Sequence, residues 1–285
     1  MKHYIAFSRR TSKKQREMLR KMRHEVGLYR LKLMKVKDLA ELNNLEPDPD
    51  MINAFAAAIT QIEIAAYVDG RTTGIRKPRG RRANSRPLAF ADIPDVDKWL
   101  DEHVGFDWDL PAVTAVQSMA EEAVDYSQST ISNLLQYVKD DAFNALDQGL
   151  SFLDWKDKMA LVGFEDANPY HLRTNFDTAA NGAYHAAKWH EITEYADMFP
   201  YLRYVTMQDD KVREEHRILD GTIAAVDDAF WSIYYPPNGY NCRCSVEQLM
   251  RKEAEQDPKF GQEILSPQFD PRFQKNSGQT NKIFT

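Results

Sequence analysis

The densest group of side chains that could bind a metal or act as nucleophiles lies between residues 209 and 244. The chain has two cysteines, Cys242 and Cys244, and they follow the turn-forming residues Pro-Pro-Asn-Gly. Residues of this type hold a backbone in a fixed local shape. With His216, the C-x-C pair offers soft ligands of the kind that zinc prefers. Zinc takes four ligands, or three with an open position, and the segment has only one histidine, so these three residues by themselves are a weak signal for a metal site.

A catalytic interpretation of the same segment needs more than residue types. A cysteine nucleophile requires a base and an orienting group, and Cys242, His216 and Asp209 have suitable side chains. The acid pairs at 209–210 and 227–228 are candidates for general acid and base. Paired acids in turns are more often caps, and no signature sequence brings these groups together. The chain also lacks a phosphate-binding loop, a dinucleotide fingerprint, a metalloprotease helix motif and a nucleophile elbow.

Length and composition indicate a globular protein. The chain has 285 residues, of which 43% are hydrophobic and 28% charged, and its formal net charge is −6. This length predicts one large or two modest domains. No run of about 18 uncharged apolar residues predicts a membrane helix, and the basic N-terminus lacks the apolar core of a secretory signal. Two cysteines one residue apart exclude a disulfide-stapled secreted scaffold.

The charges are strongly segregated along the chain. Basic residues far outnumber acidic ones up to residue 38, and the segment 71–86 is basic with no acid. Such segments are typical of surfaces that meet nucleic acid or an acidic protein, and the alternative is a solvated loop. Without interleaved aromatic residues, DNA contacts there would be phosphate-directed, sequence-independent and salt-sensitive. The candidate DNA-binding residues are Arg76, Lys77, Arg79, Arg81 and Arg82.

Apolar spacing predicts a mainly helical N-terminal half. A basic helical pattern over 12–45 carries an apolar stripe, which must be buried on the same chain, on a partner or on a membrane. The residues of this stripe are Leu19, Met22, Val26, Tyr29, Leu33 and Val36. Further helices are predicted over 51–68, 95–103, 110–147, 154–161 and 172–195.

After residue 200 the sequence changes to short polar segments, turns and aromatic residues. The β-forming residues at 201–207 predict a strand, and 247–254 predicts a helix. The aromatic residues Trp231, Tyr234 and Tyr235 are predicted to form the core of a small module. The sequence therefore predicts the α+β class, with a mainly α-helical N-terminal body and a small mixed α+β C-terminal module. The predicted units are a basic amphipathic helical arm at 1–45, a helical body at 46–198 with a basic loop at 71–87, the module at 199–255 and an irregular tail at 256–285.

Two strings in the module carry a family resemblance. D-x-x-R-x-x-H-x-x-L-D-G covers 210–221, and P-P-N-G-x-N-C-R-C covers 236–244. Together they resemble the phage Mu F-like head morphogenesis family, minor capsid proteins of tailed phages. The resemblance covers roughly 172–246, including the helix that begins near Arg173. Besides His216 and the two cysteines, the motif residues are Asp210, Arg213, Asp220, Gly221, Pro236, Pro237 and Arg243.

The resemblance implies a structural role in head assembly. It implies a portal-associated protein without catalytic activity, located in the phage head after assembly in the host cytoplasm. Its implied partners are the portal protein and other head proteins, with non-specific double-stranded DNA as a further partner and no membrane. The alternative is a phage hydrolase or nuclease that uses His216 and nearby acids.

The resemblance also bears on zinc as a cofactor. Many relatives carry C-x-x-C where this chain has residues 213–216, and a histidine close to the position of Gly239. This chain therefore lacks two of the ligands that make a structural zinc site in such relatives. Three interpretations remain open: a three-ligand site completed by Asp209, Asp210 or water, a metal-free relic, or a hydrogen-bonded core of thiols and imidazole.

Two further expectations concern single residues. Arg243, between the two thiols, is predicted to pair with Asp209, Asp220 or Asp228, in a geometry that lysine cannot reproduce. His185 and His190 are five residues apart on one predicted helix and do not share a face well. They are therefore predicted to be packing or surface residues rather than ligands.

Overall fold

The computed structural model describes residues 9–72, 109–158 and 169–284. The helical part contains α1 (Arg9–Met34), α2 (Leu39–Asn43), α3 (Pro49–Thr72), α4 (Leu110–Asp147), a helical segment at 152–158 and α5 (Pro169–Glu194). The C-terminal part contains β1 (Tyr201–Val205), α6 (Glu214–Arg217), β2 (Ile223–Ala225), α7 (Phe230–Tyr234), β3 (Ser245–Leu249), α8 (Arg251–Glu255), a 3-10 turn (Pro271–Phe273) and α9 (Ser277–Thr280). The predicted α+β class is confirmed. The predicted helix at 95–103 and the five DNA-binding candidates at 76–82 lie outside the described residues.

Helix α3 is the centre of the helical core. It packs against α1, α4 and α5, and its apolar side chains are largely buried. By length and composition, Pro49–Arg71 would suffice to cross a membrane, but 72% of the apolar window is buried inside the fold. Burial on all sides by neighbouring helices explains why this helix is apolar around most of its circumference.

The apolar stripe of α1 packs on the same chain, the first of the three alternatives. Met22, Val26, Tyr29 and Leu33 are buried in one core cluster with α3 residues. The continuous pattern expected over 12–45 is divided in two, because α1 ends at Met34 and α2 begins at Leu39. Asp38 caps α2, since its side chain accepts a hydrogen bond from the backbone N–H of the third residue of that helix.

The sheet has three antiparallel strands in the order β2-β1-β3. In β1, Leu202 and Tyr204 are buried and alternate with half-buried residues, as expected for a strand with one face on a core. The helix predicted over 247–254 is wrong for 247–250, because Ser245–Leu249 pairs with β1, and is confirmed for 251–254, which lie in α8. Pairing with an existing strand outweighs the helix preference of the residues there.

The C-terminal segment crosses back to the helical body. Much of 256–284 has no regular structure, but Ser277 Oγ donates to the Gly182 carbonyl at 3.2 Å. The backbone N–H of Phe284 donates to Glu122 on α4 at 2.9 Å, and the Phe284 ring stacks on Tyr126 with centroids 3.9 Å apart. These contacts attach the segment after the sheet to α4 and α5.

One residue of the predicted basic loop belongs to the core. Arg71 lies in the last turn of α3 and is 8% exposed. Its guanidinium pairs with Glu191 on α5 and with Asp109, the latter at 2.9 Å. The prediction that the loop begins at 71 is therefore wrong for Arg71, whose charge is used to join α3, α5 and the start of α4.

Candidate metal centre

Three potential metal ligands meet where α6 approaches the loop before β3. His216 lies on the single-turn helix α6, and Cys242 and Cys244 lie in the loop that leads into β3. All three side chains are buried, and their ligand atoms lie within 4.8 Å of one another. His216 Nδ1 is 3.4 Å from Cys244 Sγ and 3.7 Å from Cys242 Sγ. Among the described residues, this is the group of three that could hold a metal ion.

The two thiols differ in acidity because they interact with each other. The hydrogen bond with Cys244, aided by His216, holds the pKa of Cys242 well below its ordinary value. The same hydrogen bond, together with burial, raises the pKa of Cys244. The two thiols therefore titrate as a pair rather than independently.

The loop before the thiols is anchored from β1 and α5. Asn238 is buried, and its Oδ1 accepts a hydrogen bond from the Tyr204 hydroxyl at 2.8 Å. Asn181 Nδ2 on α5 donates to the Cys242 carbonyl at 2.6 Å. Asn241 has a φ of 56°, in the left-handed region that asparagine tolerates better than most residues. Pro236 and Pro237 precede these residues and are buried, as expected for a turn that fixes the thiols.

Two arginines of the motif fix the surface side of the centre. Arg243 donates to both carboxylate oxygens of Asp209, at 2.7 and 2.8 Å, so the structure selects Asp209 among the three expected partners. This bidentate hydrogen bond lowers the pKa of Asp209 to about 2. Arg213 donates to the backbone carbonyl of Tyr240, which joins the start of α6 to the thiol loop.

The remaining motif residues shape the turn between α6 and β2. Asp220 Oδ1 accepts hydrogen bonds from the backbone and the hydroxyl of Thr206, at 2.8 and 2.9 Å. Gly221 has a φ of 79°, a conformation that favours glycine, and its N–H donates to the Tyr204 carbonyl. Asp210 is exposed in the turn after β1. Asp220 and Gly221 hold the turn after α6 against β1 and the residue that follows it, and so help to determine where His216 lies.

An aromatic cluster surrounds the centre. Trp231 and Tyr235 are fully buried and Tyr234 is 9% exposed, so the predicted aromatic core is confirmed. The His216 ring packs against Phe269, with centroids 5.0 Å apart. His216 Nε2 is buried without a hydrogen-bond partner in the described part of the chain.

His185 and His190 on α5 are not part of the candidate metal cluster. His185 is fully buried between the rings of Tyr184 and Tyr235, and burial holds its pKa well below the ordinary value. His190 contacts the Tyr67 hydroxyl through Nδ1, at 2.7 Å, and the Gly278 carbonyl through Nε2. Neither belongs to the candidate metal cluster, in agreement with the predicted packing role.

Sequence reasoning missed two residues that position the thiol loop. Lys188 on α5 is buried, and its ammonium donates to Ser245 Oγ at 3.1 Å and to the Val246 carbonyl at 3.0 Å. Burial lowers the pKa of Lys188 to about 8. Asn181 is the second. Both are polar residues that stand among the alanines of α5. A polar residue within an otherwise apolar stretch is the sequence feature that could have identified them.

A small cavity lies over the three ligand atoms. Its volume is about 20 Å³, which is enough for one water-sized group. Besides the ligands, it is lined by Met207, Lys211, Val212, Arg213, Asn241 and Arg243. The charged residues in this lining are all cations.

Comparison with known proteins agrees with the motifs. Residues 136–247 match the family described as Phage Mu protein F like protein. This segment is Mu F-like. The predicted resemblance is thereby confirmed, and the match begins at 136, before the predicted start at 172. The Mu F-like segment therefore includes the C-terminal end of α4 as well as α5, α6, β1, β2 and the first part of β3.

Two curated relatives share this segment. The chain is 29% identical to "Putative capsid assembly protein F" of Escherichia phage Mu over 147 positions, covering 45% of this chain and 34% of that protein. It is 44% identical to "Mu-like prophage FluMu F protein" of Haemophilus influenzae over 82 positions, covering 29% of this chain and 20% of that protein. The matched part thus spans about a third and a fifth of these relatives. No solved structure matches the chain significantly.

Proposed function

We propose that this chain is a minor head protein of a tailed phage that acts structurally in head assembly. The observation that carries the proposal is the Mu F-like segment, whose relative in phage Mu is named for capsid assembly. Its role is to associate with the portal protein and other head proteins, inside particles assembled in the host cytoplasm. The buried, hydrogen-bonded motif residues suit a rigid assembly module.

Three of the side chains that the alternative hydrolase or nuclease could use are engaged in structural contacts. Both oxygens of Asp209 accept hydrogen bonds from Arg243, and Asp228 accepts one from the backbone N–H of Phe230 at 2.8 Å. His216 is 3% exposed and faces the two thiols rather than an acid. A general acid or base needs access to a substrate proton, and these positions do not provide it. The contacts favour the structural role over catalysis.

The assembly role is tested by complementation in the phage that encodes this chain. We expect deletion of the gene to stop the formation of complete heads, and the wild-type chain to restore it. The chain should also co-purify with the neighbouring portal protein. Normal particle yield without the chain, or a chemical turnover lost on His216→Gln in a folded protein, would contradict the proposal.

Contact with packaged DNA is the second part of the proposal. The candidates Arg76, Lys77, Arg79, Arg81 and Arg82 would bind phosphates without reading sequence. The outward face of α1 supports the same role. Four exposed cations there repeat at helical spacing: Lys13, Arg16, Arg20 and Arg23.

DNA contact is tested with unrelated duplexes at low and high salt. We expect affinity to fall steeply with salt, and to fall further at low salt when the five candidates are changed to glutamine. The matched control is Arg251→Gln with Lys252→Gln, two exposed cations of α8, which should leave binding unchanged. Equal affinity at both salt concentrations would exclude phosphate-directed binding.

A further inference from the structure

The positions of His216, Cys242 and Cys244 match part of a tetrahedral coordination sphere. A zinc ion with Zn–S bonds of about 2.3 Å and a Zn–N bond of about 2.1 Å places each nitrogen–sulfur pair about 3.6 Å apart. The two distances from His216 Nδ1 to the sulfurs are 3.4 and 3.7 Å. We propose that these three side chains bind one zinc ion whose fourth position is open to water or a small exogenous anion.

A hydrogen-bonded core of thiols and imidazole explains the arrangement less well. A neutral imidazole nitrogen accepts one hydrogen bond, yet both sulfurs lie at similar distances from His216 Nδ1. One zinc ion contacts all three atoms at once and replaces the thiol protons, which are released on binding. The C-x-C spacing, the anchored loop and the short helix α6 already hold the ligands in place.

Among the described residues, neither acid expected at the fourth position is placed to fill it. Asp209 is held through both oxygens by Arg243. Asp210 is exposed and does not line the cavity over the ligands. The cavity has room for one water-sized group. Two thiolates neutralise the zinc charge, so Lys211 and Arg213 leave the opening positive and suited to an anion.

Metal analysis of the full chain is the first test. Protein purified without chelators should contain about one zinc per chain. His216→Ala, Cys242→Ser and Cys244→Ser should each reduce the content by at least tenfold. Asp210→Asn and His24→Ala are matched controls, an exposed acid and an exposed histidine, and should keep the metal. Circular dichroism checks that each variant is folded.

Cobalt replacement tests the wild-type protein and so does not depend on folding of a variant. After removal of zinc by a chelator, Co²⁺ should give the charge-transfer absorption of thiolate coordination. Addition of azide should then change the ligand-field spectrum, because azide displaces water at the open position. A wild-type protein with zinc near zero and no cobalt–thiolate absorption would overturn the metal site.

The claim that the fourth position is open has a separate test. A cobalt spectrum that azide does not change, or loss of zinc from folded Asp210→Asn, would overturn the open position and indicate a closed site. None of these outcomes depends on head assembly. Failure of the metal proposal and failure of the proposed function are therefore separate results.

Discussion

The core of the helical body and the core of the C-terminal module are packed from different side chains. In the body, alanines and aliphatic residues of α1, α3, α4 and α5 form most of the buried cluster. In the module, aromatic residues such as Trp231, Tyr204 and Tyr235 are the largest group in the buried cluster, which also contains aliphatic residues and the two cysteines. The body is held by close approach of long helices. The module is held by large rings and by loops fixed through hydrogen bonds, which is how a small unit can keep a precise local geometry.

The largest effect is expected from Trp231→Ala in the module. Trp231 is fully buried, and its Nε1–H donates to the Ala225 carbonyl at 2.9 Å. Loss of such a side chain costs about 3–5 kcal/mol of unfolding free energy. Near-ultraviolet circular dichroism during urea unfolding should report early loss of the module, while the far-ultraviolet helical signal persists.

Trp155→Ala is the matched control for that change. Trp155 is a buried tryptophan of the body, with a comparable hydrogen bond from Nε1 to Asp141 at 2.8 Å. We expect it to weaken the helical transition and leave the module unaffected. If both substitutions lowered both transitions equally, the two cores would act as one cooperative unit and the comparison would lose its meaning.

The next effect concerns Lys188, whose ammonium is buried beneath β3. Burial lowers the pKa of Lys188 from 10.5 to about 8 in the folded protein. Between these pH values the unfolded chain binds more protons, so the unfolding free energy rises with pH, by on the order of 3 kcal/mol in all. Lys188→Met should remove this rise. The measurement is the unfolding free energy of the variant and of the wild type, from urea unfolding at pH 7 to 10. If the two proteins showed the same dependence of unfolding free energy on pH, a buried, charged Lys188 would be contradicted.

Glu63, in the helical body, should make the unfolding free energy depend on pH in the opposite direction. Its side chain is 1% exposed, and burial together with the nearby Glu122 raises its pKa well above 4.5. Here the folded state keeps the proton, so the unfolding free energy falls as the pH rises above 4.5. Glu63→Gln should remove that fall and leave the Lys188 slope intact. The same urea series, extended to pH 4, separates the two groups.

A smaller loss is expected from Gly70→Ala, where α3 meets α5. A Cβ at this position would overlap the Tyr184 carbonyl oxygen and lie 2.8 Å from Ala187 Cβ. Overpacking of this kind costs about 1–3 kcal/mol. Gly27→Ala on α1 is the control, since a Cβ there meets no atom within 4 Å. That control should raise the thermal midpoint slightly, because alanine favours a helix more than glycine does.

The smallest effect is expected from Arg243→Lys at the surface of the module. Lysine cannot donate to both oxygens of Asp209 in the bidentate geometry of arginine. The pKa of Asp209, about 2 in the wild type, should therefore rise toward its ordinary value of 3.8. Carboxyl NMR chemical shifts across an acid titration measure this directly. An unchanged pKa would show that another group stabilises the Asp209 carboxylate.

The local sequence pattern was sufficient to predict many of the helices and one strand. Apolar spacing predicted the long helices that became α3, α4 and α5, and the β-forming residues at 201–207 predicted β1. The helix prediction was wrong for 247–250, where pairing with β1 decides the conformation of Ser245–Leu249, and right for 251–254. The loop prediction also failed for Arg71. Its position beside a basic loop does not indicate that it pairs with Asp109, which caps α4, and with Glu191 on α5.

The sequence by itself determined which residues are available to the candidate metal centre: two thiols, one histidine and a rigid turn before them. Tertiary structure decided their arrangement. Only the fold brings α6 against the thiol loop, assigns Asp209 to Arg243 rather than to a metal, and leaves a cavity over the ligands. The reason is physical: spacing along a chain fixes neighbours within a few residues, whereas contacts 26 to 34 residues apart depend on how separate elements pack.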